Sequence, residues 1–120
     1  MYRIEKDITF EAAHILPNHQ GLCGRLHGHS YTLTVICESE ELEKSGKEAG
    51  MIVDTDQIYA AYLKIRHLVD HQVLNESLGM EHTTVEALSK WFYEALEDYL
   101  PFMVEVVLHE TAKERASYRP

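Results

Sequence analysis

"HGHSYTLTVIC", residues His27–Cys37, places Tyr31, Leu33, Val35 and Cys37 at every second position, in phase with His27 and His29, while Ser30, Thr32 and Thr34 fill the alternate positions. Period two over this length predicts a long β-strand with one buried face. The two histidines open that face. Upstream, Ile4, Ile8, Phe10, Ala12 and His14 fall on the even positions of residues 2–14, and the odd positions are mostly polar. This predicts a first long strand whose apolar face also ends in a histidine. The Pro- and Gly-containing stretch "LPNHQGLCGRL" between the two reads as a loop, so a hairpin should bring His14 to His27 and His29.

Downstream, "ESEELEKSGKEAG" mixes charge with glycine and predicts a solvated excursion, after which "MIVD" resumes an extended run. Ile58, Ala61, Tyr62, Ile65, Leu68 and Val69 fit one face of a helix over 55–69, with Asp54 or Thr55 as its N-cap. A second helix should open at Thr83, where "TTVE" sets Glu86 three residues beyond a threonine in capping-box spacing, and end at Pro101. "MVEVVLHE" predicts a further strand with Val104, Val106, Leu108 and Glu110 on one face, and a final short strand is expected near "SYR". The predicted class is α+β, a single domain over 1–120 in which an antiparallel sheet is covered on one face by two helices. The edges of so small a sheet should pair between subunits in a closed ring.

Composition narrows the function. Eleven Lys and Arg against twenty Asp and Glu give a net charge of −9, which argues against a broad phosphate-tracking surface for nucleic acid. No charged-then-apolar leader and no span of about 18 apolar residues is present, so a cytoplasmic protein without membrane insertion is expected. Only Cys23 and Cys37 occur, and a structural disulfide is not expected. Eight histidines is a high number for 120 residues and hints at metal or acid–base chemistry.

Residues two apart on a strand lie about 6.6 Å apart on the same face, so His27 and His29 can converge on one ion while His14 supplies a third nitrogen. Three neutral nitrogens with an open fourth position form the catalytic zinc pattern; iron, copper and nickel remain possible occupants, and histidines bonded to backbone are the plainer alternative. Cys23 has three readings, as a fourth ligand, as a thiolate base or nucleophile beside the metal, or as a small turn residue; catalysis is favoured over ligation because three histidines already suffice. Asp70 immediately before His71 offers an acid–base pair if the chain bends there. Glu110 ends the third apolar face and needs either a partner presenting two parallel N–H groups, such as a guanine or pterin edge, or an ion pair with Arg115 or Arg119. His19, His67, His82 and His109 read as structural or solvated.

Taken together, "FEAAH", "CGRLHGHSY", "VDHQVLN", "TTVEALSKWF" and "LHET" resemble the 6-pyruvoyltetrahydropterin synthase family, and within it the 6-carboxytetrahydropterin synthase branch. The resemblance implies the tunnelling fold, in which subunits join their sheets into a barrel and trimers stack into a homohexamer. It implies zinc at His14, His27 and His29, proton transfer by Cys23, and an Asp70–His71 relay reaching the site from a neighbouring subunit. Glu110 would anchor a pterin ring with Thr84 beside it. The implied substrate is 7,8-dihydroneopterin triphosphate, converted to 6-carboxytetrahydropterin with loss of acetaldehyde and triphosphate, on the way to queuosine and other deazaguanines. Arg25, Lys113, Arg115 and His19 are the expected counter-charges for the triphosphate. A pyruvoyl-forming synthase and a non-catalytic zinc- or pterin-binding module are the rivals.

Overall fold

The computed structural model describes residues 1–120. Two strands of thirteen residues, β1 (Tyr2–His14) and β2 (His27–Ser39), form one antiparallel hairpin in unbroken register from Tyr2 opposite Ser39 to His14 opposite His27. The hairpin is the long axis of a chain measuring 54 × 25 × 22 Å. Helices α1 (Thr55–Leu63), α2 (Arg66–Val69), α3 (Leu74–Ser77) and α4 (Val85–Leu96) follow, with the two-residue strand β3 (Gln72–Val73) between α2 and α3. Strands β4 (Met103–His109) and β5 (Arg115–Tyr118) complete a five-stranded sheet in the order β3-β1-β2-β4-β5.

The period-two reading of both long strands holds, and the core forms where it placed the apolar face. Ile8, Phe10 and Ala12 of β1 and Tyr31, Leu33, Val35 and Cys37 of β2 are buried against Leu88, Phe92 and Leu96 of α4 and Ile58, Ala61 and Tyr62 of α1. Each fully buried Leu or Phe contributes about 1.5–3 kcal/mol relative to exposure, so α4 is held chiefly by this stripe. The other face of the hairpin carries Glu5, Asp7, Thr9, Glu11 and Ser30, all exposed.

Several local expectations are corrected. The sheet is mixed, because β3 pairs parallel with β1 through Ala12 opposite Gln72 and Ala13 opposite Val73. The helix expected over 55–69 is two helices, since the backbone turns at Lys64 and Ile65 before α2 begins; its N-cap is Asp54, whose carboxylate accepts from the Asp56 N–H at 2.9 Å. "MIVD" forms no strand. Helix α4 is capped by Thr84, not Thr83: the Thr84 hydroxyl accepts from the Ala87 N–H at 3.1 Å, and Glu86 therefore stands one position short of a capping box. In β4 a register shift opposite Ile36 and Cys37 turns Met103 inward in place of Val104. Four α-helices thus stand where two were expected, with α1 and α4 the two long ones.

Candidate metal centre

At its loop end the hairpin pairs His14 with His27 and Ala12 with His29, so all three imidazoles emerge on the core side where apolar packing stops. Their ring centroids lie 4.5, 5.1 and 4.9 Å apart, and one ligand nitrogen from each falls within a cluster 4.8 Å across. The Nε2 atoms of all three are buried and have no hydrogen-bond partner. Buried polar atoms are rarely left so, and three converging orphan nitrogens fit a bound cation.

The backbone fixes which nitrogen points inward. His14 Nδ1–H donates to the Thr83 carbonyl at 2.8 Å, and His27 Nδ1–H donates to the Arg25 carbonyl at 2.7 Å. A carbonyl only accepts, so in each neutral ring the proton must sit on Nδ1 and the Nε2 lone pair is free for a metal. Burial holds the His14 pKa below its ordinary value, with His27 and His29 adding to the effect against the Thr83 carbonyl and Glu110. Burial likewise lowers His29, against the pull of Glu110. Neutral imidazoles are the form that binds metal.

Glu110 stands at the rim of this cage. Its Oε1 is 3.4 Å from His29 Nε2, a contact without hydrogen-bond geometry, and its side chain is 14% exposed. It makes no ion pair with Arg115 or Arg119. Tyr31 packs beneath the cage, its ring 5.4 Å from that of His29 and its hydroxyl buried without a partner.

A model of the family described as 6-pyruvoyl tetrahydropterin synthase matches residues 3–120. The chain belongs to that family. It is 40% identical to the 6-carboxy-5,6,7,8-tetrahydropterin synthase of Synechocystis, covering 98% of this chain and 93% of that protein. It is 29% identical to the protein of the same name from Bacillus subtilis, covering 99% of this chain and 86% of that one. The solved 6-pyruvoyl tetrahydropterin synthase of Caenorhabditis elegans shares the fold, with a TM-score of 0.86 over 99% of this chain and 95% of that chain at 22% identity.

Within this member of the synthase family, the other residues singled out in the sequence fall in separate places. Cys23 sits half-buried in a single 3-10 turn, Leu22–Gly24, just ahead of β2, and its thiol is free and outside the histidine cluster. The turn needs glycine at 24, because a Cβ there would lie 2.2 Å from the His19 carbonyl oxygen. Asp70 and His71 sit at the sheet edge. His71 adopts φ 59, which supplies the bend their pairing required, and its Nδ1 lies 3.0 Å from Asp70 Oδ1. The same oxygen accepts the Glu11 N–H at 3.0 Å, the leading reason the Asp70 carboxyl titrates below its ordinary range; Arg66 and His71 lower it further, against burial.

His71 opens onto a groove of about 450 Å³ that Glu11, Ala13, Gly28 and Ser30 line together with Ala12 and His29. Glu11, Ala13, Gly28 and Ser30 occupy strand positions that alternate away from the core, whereas Ala12 and His29 belong to the face that carries the cage, so residues of both faces line the groove. Thr84 spends its acceptor on the helix cap. The four expected counter-charges divide: Lys113 and Arg115 share a groove with Glu86 and Glu114 at the start of α4, whereas His19 and Arg25 belong to the loop before β2. No helix is long and apolar enough to cross a membrane.

Sequence reading missed Thr83 and Asn75. Thr83 is fully buried against His14, and Asn75 ties Ile15 to the loop that carries Thr83. Both lie in stretches already singled out, "TTVE" and "VDHQVLN". Only contacts across the fold identify them.

Proposed function

We propose that this chain is a zinc-dependent 6-carboxytetrahydropterin synthase, converting 7,8-dihydroneopterin triphosphate to 6-carboxy-5,6,7,8-tetrahydropterin with release of acetaldehyde and triphosphate. The observation that carries the reading is the set of three buried, unpartnered Nε2 atoms within 4.8 Å, with Glu110 at their rim. Two relatives bearing the carboxy-synthase name across nearly the whole chain support the product. Queuosine and related deazaguanine pathways are the setting that this product implies.

His14, His27 and His29 would hold the ion. Zinc bound there would polarise oxygens of the substrate side chain and favour the charge that develops on them. Glu110 accepts parallel N–H groups from the pterin edge and fixes the ring relative to the cage. Thr84 keeps its hydroxyl proton while capping α4, which leaves it a donor for the same ring. Cys23 takes a proton from the side chain, and Asp70 holds His71 through Nδ1 so that Nε2 can give or receive the second. Lys113 and Arg115 are the counter-charges left for the triphosphate once His19 and Arg25 are assigned to their own loop.

The relay reaches the cage from a neighbouring subunit, a reading supported by the exposure of the His71 ring and its place outside the histidine cluster of its own chain. The chain's elongated shape and its short edge strands β3 and β5 suit a sheet continued between copies, as in a barrel of trimers paired into a hexamer.

The test is incubation of zinc-loaded protein with 7,8-dihydroneopterin triphosphate, with every product identified by mass spectrometry and acetaldehyde assayed separately. The carboxy product with equimolar acetaldehyde is expected. A pyruvoyl product retaining all side-chain carbons would transfer the protein to the other branch of the family. Pterin binding without turnover, unaffected by Cys23→Ala, would make it a binding module.

A further inference from the structure

Strand β1 ends at His14, and the next residue, Ile15, has no ladder partner. The amide of Asn75, near the start of α3, takes that place. Asn75 Oδ1 accepts from the Ile15 N–H at 2.9 Å, and Asn75 Nδ2 donates to the Ile15 carbonyl at 2.9 Å. The remaining capacity points the other way: Nδ2 donates to the Glu81 carbonyl at 3.1 Å, and Oδ1 accepts from the Thr83 hydroxyl at 3.2 Å. Two donors and two acceptor sites are all an amide has, and all four are used. The network also fixes its orientation, because the nitrogen faces two carbonyls and the oxygen faces two donors.

The two segments clamped in this way are those that define His14. Ile15 is the residue that follows the ligand, and Thr83 supplies the carbonyl that accepts His14 Nδ1–H at 2.8 Å and so directs Nε2 into the cage. We propose that Asn75 is a positioning residue for the metal centre: it sets the distance between the end of β1 and the 81–83 loop, and through that distance the tautomer and aim of the His14 ring. The inference rests on the reading of the histidine trio as a metal site. Asn75 is not among the clustered ligands, and its own partners are Ile15, Glu81 and Thr83.

Asn75→Asp is the sharpest probe, since it keeps the shape and the contact with the Ile15 N–H but turns an oxygen toward the Ile15 and Glu81 carbonyls. Co²⁺ titration, followed by the visible ligand-field bands, reads the cage without requiring turnover. Asn75→Asp is expected to weaken Co²⁺ binding about 10–100-fold and to change the band positions and intensities, as loss of a partner behind a ligating histidine does. Thr83→Val should show a smaller change in the same direction, and Thr83→Ser should restore wild-type values. Ile58→Val, a core trim in α1, is the control for stability alone: it should lower the melting temperature while leaving affinity and spectrum unchanged. If Asn75→Asp does not fold, the Thr83 pair decides the question. Wild-type affinity and spectrum in Asn75→Asp, or a loss matched by Ile58→Val at equal destabilisation, would overturn the assignment. Failure of the wild-type protein to bind Co²⁺ would instead remove the metal reading on which it stands.

Discussion

The histidine cage and the Asp70–His71 pair sit at the same end of the molecule and are built in opposite ways. The cage lies within one chain: three strand-borne rings, two of them locked by backbone carbonyls, converge their buried Nε2 atoms. The pair is equally well held at its own base, by the Glu11 N–H and by Arg66, yet its imidazole is 77% exposed and outside the histidine cluster. On the proposed reading, one chain supplies a metal-binding unit by itself and only part of an acid–base unit, and the two should respond differently to mutation, to pH and to assembly.

The largest separation is expected for His27→Ala. Removing one of three ligands should cost more metal affinity than the about 10–100-fold lost when a supporting partner is removed, and turnover should vanish with it. Co²⁺ or Zn²⁺ affinity by competition titration measures this. Retained affinity would mean that the cage does not hold the ion.

His71→Gly should do the reverse. Glycine accepts the φ of 59 without the left-handed cost of about 1 kcal/mol that a side chain carries, and the added freedom of the unfolded chain offsets a similar amount. Stability and metal affinity should therefore stay near wild type while kcat falls about 10²–10⁴-fold, the usual contribution of a positioned acid or base. Mixing His71→Gly subunits with His27→Ala subunits should restore activity to hybrid assemblies if the relay crosses between chains. Absence of any complementation would place both halves of the chemistry in one subunit.

The two regions also differed in how far sequence could disclose them. Strand alternation carried His14, His27 and His29 to one face because period two is a property of neighbouring residues, and a hairpin needs no other information to bring strand ends together. The helix boundaries were less legible. Ile65 and Val69 stay on the core side after the chain turns at Lys64, so the apolar pattern runs on across a break in the axis. Strand β3 is two residues long and has no period to detect. Thr83 and Thr84 have the same capping chemistry and part only across the fold: the Thr83 carbonyl accepts from His14, sixty-nine positions away, and its hydroxyl donates to Asn75, while the Thr84 hydroxyl caps α4. Asn75 was hidden for the same reason: its four partners lie in two other segments.

A smaller effect concerns acid. The Asp70 carboxyl titrates below its ordinary 3.8 in the folded chain, mainly through the Glu11 N–H. Between the folded and unfolded values the unfolded chain binds more protons, so this contribution to stability is complete above about pH 3.8 and is lost as pH falls through the folded value. Asp70→Asn abolishes the titration. Urea midpoints measured from pH 7 to pH 3 should show a constant gap between wild type and variant down to about pH 4, then a narrowing one. A gap independent of pH would mean that the carboxylate charge is not what anchors the pair to β1.

The smallest expected effect tests whether every polar group near the cage serves it. The Tyr31 ring is fixed by a parallel stack on Phe10 at 5.0 Å, and this packing does not involve the hydroxyl. That hydroxyl is buried with no protein partner, and a buried unsatisfied group costs of order 1–3 kcal/mol. Tyr31→Phe keeps the stack and removes the unpaired oxygen, so the metal-free protein should be as stable as wild type or up to about 1 kcal/mol more stable, with Co²⁺ affinity unchanged. Chemical denaturation and the same Co²⁺ titration measure both quantities. If Tyr31→Phe is instead destabilising, or the Co²⁺ bands shift, the hydroxyl belongs to the cage as Thr83 and Asn75 do, and the self-contained half of the site extends one layer deeper into the core than the hydrogen bonds of a single chain disclose.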